Sequence, residues 1–178
     1  MMQATDLRLT FNPGTPIENP ALRGINLNIA DGEFVTVIGT NGAGKSTFLN
    51  TVSGTTRVDS GSILLNGIDV TKKTAHQRAH WVARVFQDPM AGTCEALTIE
   101  ENMALAYKRG GKRGLSFALN QNNRDLFREK LSVLKLGLEN RLTDRMGLLS
   151  GGQRQAVSLL MASLQPSKIL LLDEHTAA

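Results

Sequence analysis

The segment Gly39-Thr40-Asn41-Gly42-Ala43-Gly44-Lys45-Ser46-Thr47 decides how this chain is read. It follows the β-branched apolar run Phe34-Val35-Thr36-Val37-Ile38, read as a buried strand, and precedes Phe48-Leu49-Asn50-Thr51-Val52, read as a helix. Strand, glycine loop, helix is the context in which the spacing Gly-x-x-x-x-Gly-Lys-Ser means a phosphate loop. At ordinary amino-acid usage a chance match in 178 residues arises roughly once in two hundred chains.

The residue types follow from the chemistry of a triphosphate. Backbone N–H groups wrap clustered oxygens only where no Cβ intrudes, which explains Gly42 and Gly44. A helix starting near Lys45 aims its unpaired N–H groups and positive dipole end at the anion. Lys45 adds a mobile ammonium, Ser46 a hydroxyl for Mg²⁺, and Thr47 a further phosphate contact.

Outward from this loop the chain alternates between strand and helix patterns. Leu7, Leu9 and Phe11 alternate before the turn Asn12-Pro13-Gly14-Thr15-Pro16, and Leu22, Ile25, Leu27 and Ile29 follow it, as in an antiparallel pair. Ser60 to Gly67 reads as a short strand ending in a turn. Trp81 to Phe86 reads as another, ended by Gln87-Asp88-Pro89. From Thr98 the period becomes helical. Thr98-Ile99-Glu100-Glu101 resembles a capping box, and Phe127, Leu131, Leu134 and Leu138 mark an amphipathic helix ending near Gly137. Lys108 to Gly114 reads as a basic, glycine-rich loop. Ser150 opens a further helix that Pro166 closes, and Ile169 to Leu172 is a strand expected to be buried on both faces.

Hydrophobic residues make up 41% of the chain and charged residues 20%, which supports a packed core and argues against disorder. The longest aliphatic run, Ile169 to Leu172, is far too short to span a bilayer, and Met1 to Leu9 lacks a signal-peptide layout. One cysteine, Cys94, excludes an internal disulfide and multi-cysteine metal sites; it reads as a small packing residue. Together these features point to a soluble protein in a reducing compartment. The net charge is +4, but Lys108 to Arg145 holds ten basic and four acidic residues and alone carries +6. Such a stretch suits nucleic acid or lipid headgroups, or simply a solvated helical face.

Two further clusters carry chemistry. Leu149-Ser150-Gly151-Gly152-Gln153-Arg154-Gln155 has Ser150 as helix cap and Gln153 three residues on. Gly151 and Gly152 are poor helix formers, which makes sense if an anion must approach those amides closely. One triphosphate has a single terminal end, so two such elements suggest a head-to-tail pair, each chain lending its Ser150 segment to the other's nucleotide. Asp173 and Glu174 stand together at the carboxyl end of a strand, where α/β sheets place ligands. Asp173 would hold Mg²⁺ through water, and Glu174 would orient or deprotonate the attacking water.

The set resembles the ATP-binding subunit of ABC transporters over Leu7 to the last residue, in the family's order and spacing. Gly39 to Thr47 resembles Walker A, Leu149 to Gln155 the family signature motif, Ile169 to Glu174 Walker B with its catalytic glutamate, and Gln87 the Q-loop glutamine. The resemblance implies an α/β fold with a P-loop NTPase core, an N-terminal antiparallel β subdomain and an inserted helical subdomain. Residues 1–88 would form the β subdomain and core, 89–165 the helical subdomain and 166–178 the Walker B strand. It implies ATP and Mg²⁺ as cofactors, with Phe11 stacking on adenine, and Gly39, Thr40, Asn41, Gly42, Ala43, Gly44, Lys45, Ser46 and Thr47 binding phosphates. Ser150, Gly151, Gly152 and Gln153 would bind a partner's nucleotide. Lys45, Gln87 and Glu174 would serve catalysis, and Ser46, Gln87 and Asp173 the metal.

Implied partners are a second ATPase subunit, identical or not, transmembrane permease subunits and an extracytoplasmic solute-binding protein, with the chain peripheral at the cytoplasmic face of the membrane. No nucleic acid is expected. Gln87-Asp88-Pro89 and the ending Glu174-His175-Thr176-Ala177-Ala178 look like ATPases of small-solute uptake, amino-acid-like in cargo. The alternative is a soluble ABC-type ATPase acting on nucleic acid or ribosomes. His175 departs from the family's usual proline. Relatives continue past the position of Ala178 through an aspartate-bearing loop, another core strand and a switch histidine. The chain therefore reads as incomplete, with that strand expected between the P-loop and Walker B strands and little activity expected of the piece alone.

Overall fold

A computed structural model describes residues 1–111 and 118–173. The chain divides into two compact units, Met1–Val82 and Ala83–Ala178.

The first unit is built on a four-stranded antiparallel sheet in the order β2-β1-β3-β4. Strands β1 (Met2–Phe11) and β2 (Asn19–Ile29) form the expected pair, from Met2 opposite Ile29 to Phe11 opposite Asn19. In β1 the buried side chains are Met2 and Ala4, then Leu7 and Leu9. The three-residue step from Ala4 to Leu7 would turn one pair outward in an ideal pleat. An irregularity in register between Ala4 and Leu7, with Asp6 at φ 44°, resets the alternation and keeps all four buried. Strands β3 (Ser60–Leu65) and β4 (Ile68–Asp69) are joined by Asn66-Gly67, both at positive φ, the tight hairpin turn that this dipeptide favours.

Helix α1 (Lys45–Ser53) follows the glycine loop and buries Phe48, Thr51 and Val52. A short helix α2 (Ala75–Arg78) ends in a fully buried arginine. The Arg78 guanidinium donates to the carbonyls of Thr51 (2.6 Å), Val52 (2.8 Å), Thr71 (3.0 Å) and Lys73 (2.9 Å). Two of these are last-turn carbonyls of α1, which have no partner inside the helix. Burial pushes the Arg78 guanidinium below its ordinary value, partly offset by Asp69, yet it remains a cation at a negative dipole end.

In the second unit β5 (Val82–Val85, starting at the last residue of the first unit) pairs with β6 (Ile169–Leu172), and the described residues form three α-helices. These are α3 (Ile99–Tyr107), α4 (Gln121–Ser132) and α5 (Gly151–Ser163). They pack around Ile99, Met103, Phe127, Leu131, Leu138, Met146 and Val157, a helical core of its own. The capping box at α3 forms as expected: Glu101 N–H donates to Thr98 Oγ1 (3.2 Å), and Thr98 N–H to Glu101 Oε2 (2.7 Å). Arg109 closes the far end of α5 by donating to the carbonyls of Ala162 and Gln165, both at 2.9 Å.

Four expectations are corrected. Phe34–Ile38 lies outside every described strand, with Phe34 84% and Ile38 90% exposed. High β propensity makes a strand only where neighbouring edges complete the ladder, and none of β1–β6 takes this segment. Strand β6 buries Leu171 but leaves Leu170 and Leu172 half exposed, because its described sheet has one other strand. Helix α4 stops at Ser132 rather than near Gly137, since Lys135 and Gly137 both turn to positive φ; Leu138 reaches the core from a 3₁₀ turn instead. Cys94 is exposed rather than packed. Of the basic loop, Lys108 to Gly111 is a turn, and Lys112, Arg113 and Gly114 lie outside the described residues, as does His175.

Arg78→Met should unfold at lower urea, a loss of about 3 kcal/mol, because α1's last carbonyls lose their donors while buried. Glu101, which accepts from Thr98, is held below the usual glutamate range. A depressed folded value stabilises above the unfolded value of about 4.3 and is lost as pH falls through the folded one. Urea midpoints measured from pH 7 down to pH 3 should therefore fall less steeply for Glu101→Gln than for the parent.

Candidate functional site

The glycine loop ends where the first helical hydrogen bond begins, from Phe48 N–H to the Gly44 carbonyl at 2.8 Å. The amides of Lys45, Ser46 and Thr47 precede any i→i−4 bond, so they are first-turn donors with no intrahelical acceptor. Gly44 stands at φ 88°, and a Cβ there would lie 2.6 Å from the Ala21 carbonyl of β2. Both conformation and close approach demand glycine at that corner. Gly42 stands at φ 81° with open space around it, so conformation alone requires it. The loop thus rests against β2, which pairs with the strand carrying Phe11 at its end. Phe11 is partly exposed, as a stacking platform must be.

Lys45 turns back over the loop, its Nζ donating to the carbonyls of Gly39 (2.8 Å) and Thr40 (3.0 Å). Ala43 N–H donates to the Thr40 carbonyl at 3.1 Å, which closes the curl. Gly39, Thr40, Asn41, Gly42, Ala43 and Ser46 are exposed, while Lys45 and Thr47 are half-buried. One cation and three first-turn amides thus stand together on one unit.

The second unit holds the other expected groups. Ser150 caps α5: its hydroxyl accepts from Gln153 N–H (3.3 Å), and Gln153 Oε1 accepts from Ser150 N–H (3.2 Å). A Cβ at Gly151 or Gly152 would meet nothing within 4 Å, so the helix start is open to solvent. Gln87 is exposed just beyond β5. Asp173 follows β6; its N–H donates to the Val85 carbonyl (3.3 Å), and its Oδ2 accepts from Arg84 Nη2 at 2.8 Å with both side chains largely buried. Glu174 lies outside the described residues.

Sequence reasoning missed Arg84. The signal was a lone cation in the apolar run Trp81 to Phe86, where a buried charge needs a partner. Its guanidinium also lies over the Phe86 ring at 4.7 Å. The donors expected for a metal, the Ser46 hydroxyl, the Gln87 amide oxygen and the Asp173 carboxylate, are all hard oxygens, the chemistry that Mg²⁺ prefers. Among the described residues, no cluster of three His, Cys, Asp or Glu side chains could hold a metal by itself.

The family described as ABC transporter matches residues 22–177. The chain belongs to the ABC transporter family. The cassette is 43% identical over 180 residues to the tyrosine transport ATP-binding protein of Clostridioides difficile, covering 100% of this chain and 70% of that one. It is 35% identical to the energy-coupling factor transporter ATP-binding protein EcfA2 of Clostridium acetobutylicum, covering 97% of this chain and 58% of the relative. Among solved structures it resembles the post-hydrolysis dimer of the ATP-binding cassette MJ0796 bound to ADP and Pi. The TM-score is 0.83 at 28% identity, with 100% of this chain and 75% of that one covered. The cassette therefore has the P-loop ATPase fold with an N-terminal antiparallel sheet, and it is of the ATP-hydrolysing class.

Gly44→Ala and Gly42→Ala should separate the two reasons for glycine. Each forces a Cβ into left-handed backbone, worth about 1 kcal/mol, or roughly fivefold in ATP affinity. Gly44→Ala adds the overlap with the Ala21 carbonyl and should lose considerably more in equilibrium binding of a fluorescent ATP analogue.

Proposed function

We propose that the full protein is the ATP-hydrolysing subunit of a membrane transporter, acting as a pair of cassettes with separate transmembrane permease chains at the cytoplasmic face of the membrane. ATP closes the pair, hydrolysis reopens it, and the permease chains receive the movement. The observation that carries this reading is two open, glycine-led helix starts in one chain. Gly44-Lys45 begins one and Ser150-Gly151-Gly152 the other, and a nucleotide shared between two copies uses both. No described helix is long and apolar enough to cross a membrane, so on this reading the permeation path belongs to partner chains.

In this reading Phe11 stacks on the base, Gly39 to Thr47 hold the phosphates, and Ser150, Gly151, Gly152 and Gln153 grip the partner's nucleotide. Ser46, Gln87 and Asp173 would hold Mg²⁺, which when bound would neutralise charge at the phosphates. Gln87 reports on the terminal phosphate, and Glu174 accepts a proton from the attacking water. The cargo is a small, amino-acid-like solute, supported by the likeness to a tyrosine transport subunit, and an extracytoplasmic binding protein would deliver it.

The alternative, action on nucleic acid, drew on the basic stretch 108–145. Part of that charge is engaged within the chain: Arg109 on α5 carbonyls and Arg124 on Glu100, which lies outside the stretch. The likeness to transport subunits supports the transport reading over this one.

The test uses the full-length protein. Lys45→Ala should abolish tight ATP binding, whereas Glu174→Gln should bind ATP normally and lose turnover by a hundredfold or more. Undiminished affinity in Lys45→Ala would overturn the site. Purification of the tagged full-length protein without any membrane permease would overturn the transport role.

A further inference from the structure

We propose that Arg154 is the positioning residue of the Ser150 corner, and that its ion pair with Glu95 fixes where that corner presents its hydroxyl and amides to the nucleotide of a second copy. The inference rests on the head-to-tail reading given above and assigns a residue which that reading does not use.

The corner is not held by its own packing. Ser150, Gly151 and Gly152 are exposed, and the space beside both glycines is open. Two glycines in a first turn also carry the highest backbone entropy of any residue. The capping box between Ser150 and Gln153 orders the turn, but it does not tie the turn to the rest of the unit. One turn into α5, Arg154 is buried and reaches backwards. Its Nη2 donates to the carbonyls of Gly147 (3.2 Å) and Leu149 (3.4 Å), the residues leading into Ser150. Its Nη1 donates to Glu95 Oε1 at 2.6 Å. Its own N–H donates to the Ser150 carbonyl at 2.9 Å. One side chain thus clasps the entry, the cap and an anchor on another segment.

Glu95 is a fixed anchor because its backbone is tied to the same entry. Gly147 N–H donates to the Glu95 carbonyl (3.1 Å), Met146 N–H to that of Leu97 (2.9 Å), Ile99 N–H to that of Asp144 (2.9 Å) and Glu100 N–H to that of Leu142 (3.0 Å). This ribbon runs residues 95–100 against 142–147. A Cβ at Gly147 would lie 3.2 Å from the Glu95 carbonyl, so the two strands of the ribbon meet closely at that end.

The electrostatics point the same way. A cation near a helix N-terminus opposes the dipole, so Arg154 is not there to stabilise α5 as a helix. The Glu95 carboxylate and two carbonyls offset that cost. They leave a rigid fork, which a flexible ammonium matches only in part.

The experiment measures ATP-driven pairing of the full-length protein by analytical ultracentrifugation, alongside ATP affinity of the unpaired protein and urea midpoint. Arg154→Met should raise the protein concentration needed for half-maximal pairing at least tenfold, and Glu95→Gln about threefold. Arg154→Lys should recover only part of the loss, and ATP affinity of the unpaired protein should stay unchanged in all three. Leu131→Ala, a core variant of the same unit, sets what loosening alone does. Pairing in Arg154→Met no weaker than in Leu131→Ala would overturn the proposal, because the clasp would then be merely structural. Should Arg154→Met not fold, unchanged pairing in Glu95→Gln overturns it equally. Gly151→Asp places a carboxylate in the anion's approach. If that variant pairs normally, the head-to-tail reading itself fails. If it does not pair while Arg154→Met does, only the positioning role fails.

Discussion

The two helices that begin at the candidate phosphate grips, α1 and α5, are each held at the other end by an arginine. Arg78 takes the carbonyls of Thr51 and Val52 at the close of α1, and Arg109 takes those of Ala162 and Gln165 at the close of α5. This is the constraint on which both candidate phosphate grips depend. Helix α1 has no side-chain cap at its start, and α5 keeps its capping box but leaves Gly151 and Gly152 exposed, so neither start is fixed by packing. Anchoring the opposite end restores a fixed direction, and a cation there acts with the dipole that draws an anion to the start. Burial depresses both guanidinium values, and the bonds each donates go to main-chain oxygens, four from Arg78 and two from Arg109.

The features legible in the sequence were those set by local chemistry. The helix start after the glycine loop, the Thr98–Glu101 and Ser150–Gln153 capping boxes and the turn at Asn66-Gly67 each involve residues no more than a few positions apart, and each appears where expected. Features set by distant partners were not legible. Nothing within Phe34–Ile38 says whether another strand lies beside it, and nothing in the apolar spacing of α4 says that Lys135 will turn left-handed. The arginines were the least visible. Arg78, Arg84 and Arg154 look like surface charges in a one-dimensional reading, yet each is buried or largely so against acceptors that are, for the most part, far along the chain.

Arg84 changes how the strand-end acid is understood. Two adjacent carboxylates, Asp173 and Glu174, suggested a division of labour between metal and water. In the fold Asp173 already has a guanidinium at 2.8 Å. A carboxylate so paired keeps one orientation, which an oxygen ligand needs. The pairing also sets a competition, since a dication drawing on Oδ2 must share it with Arg84.

The stretch Phe34-Val35-Thr36-Val37-Ile38 combines β-branched and aromatic residues with no charge and no proline, and it stands outside any ladder with both ends bare. Such a segment is suited to the inside of a sheet. A strand laid beside it would satisfy its amides and place the glycine loop at that ladder's end.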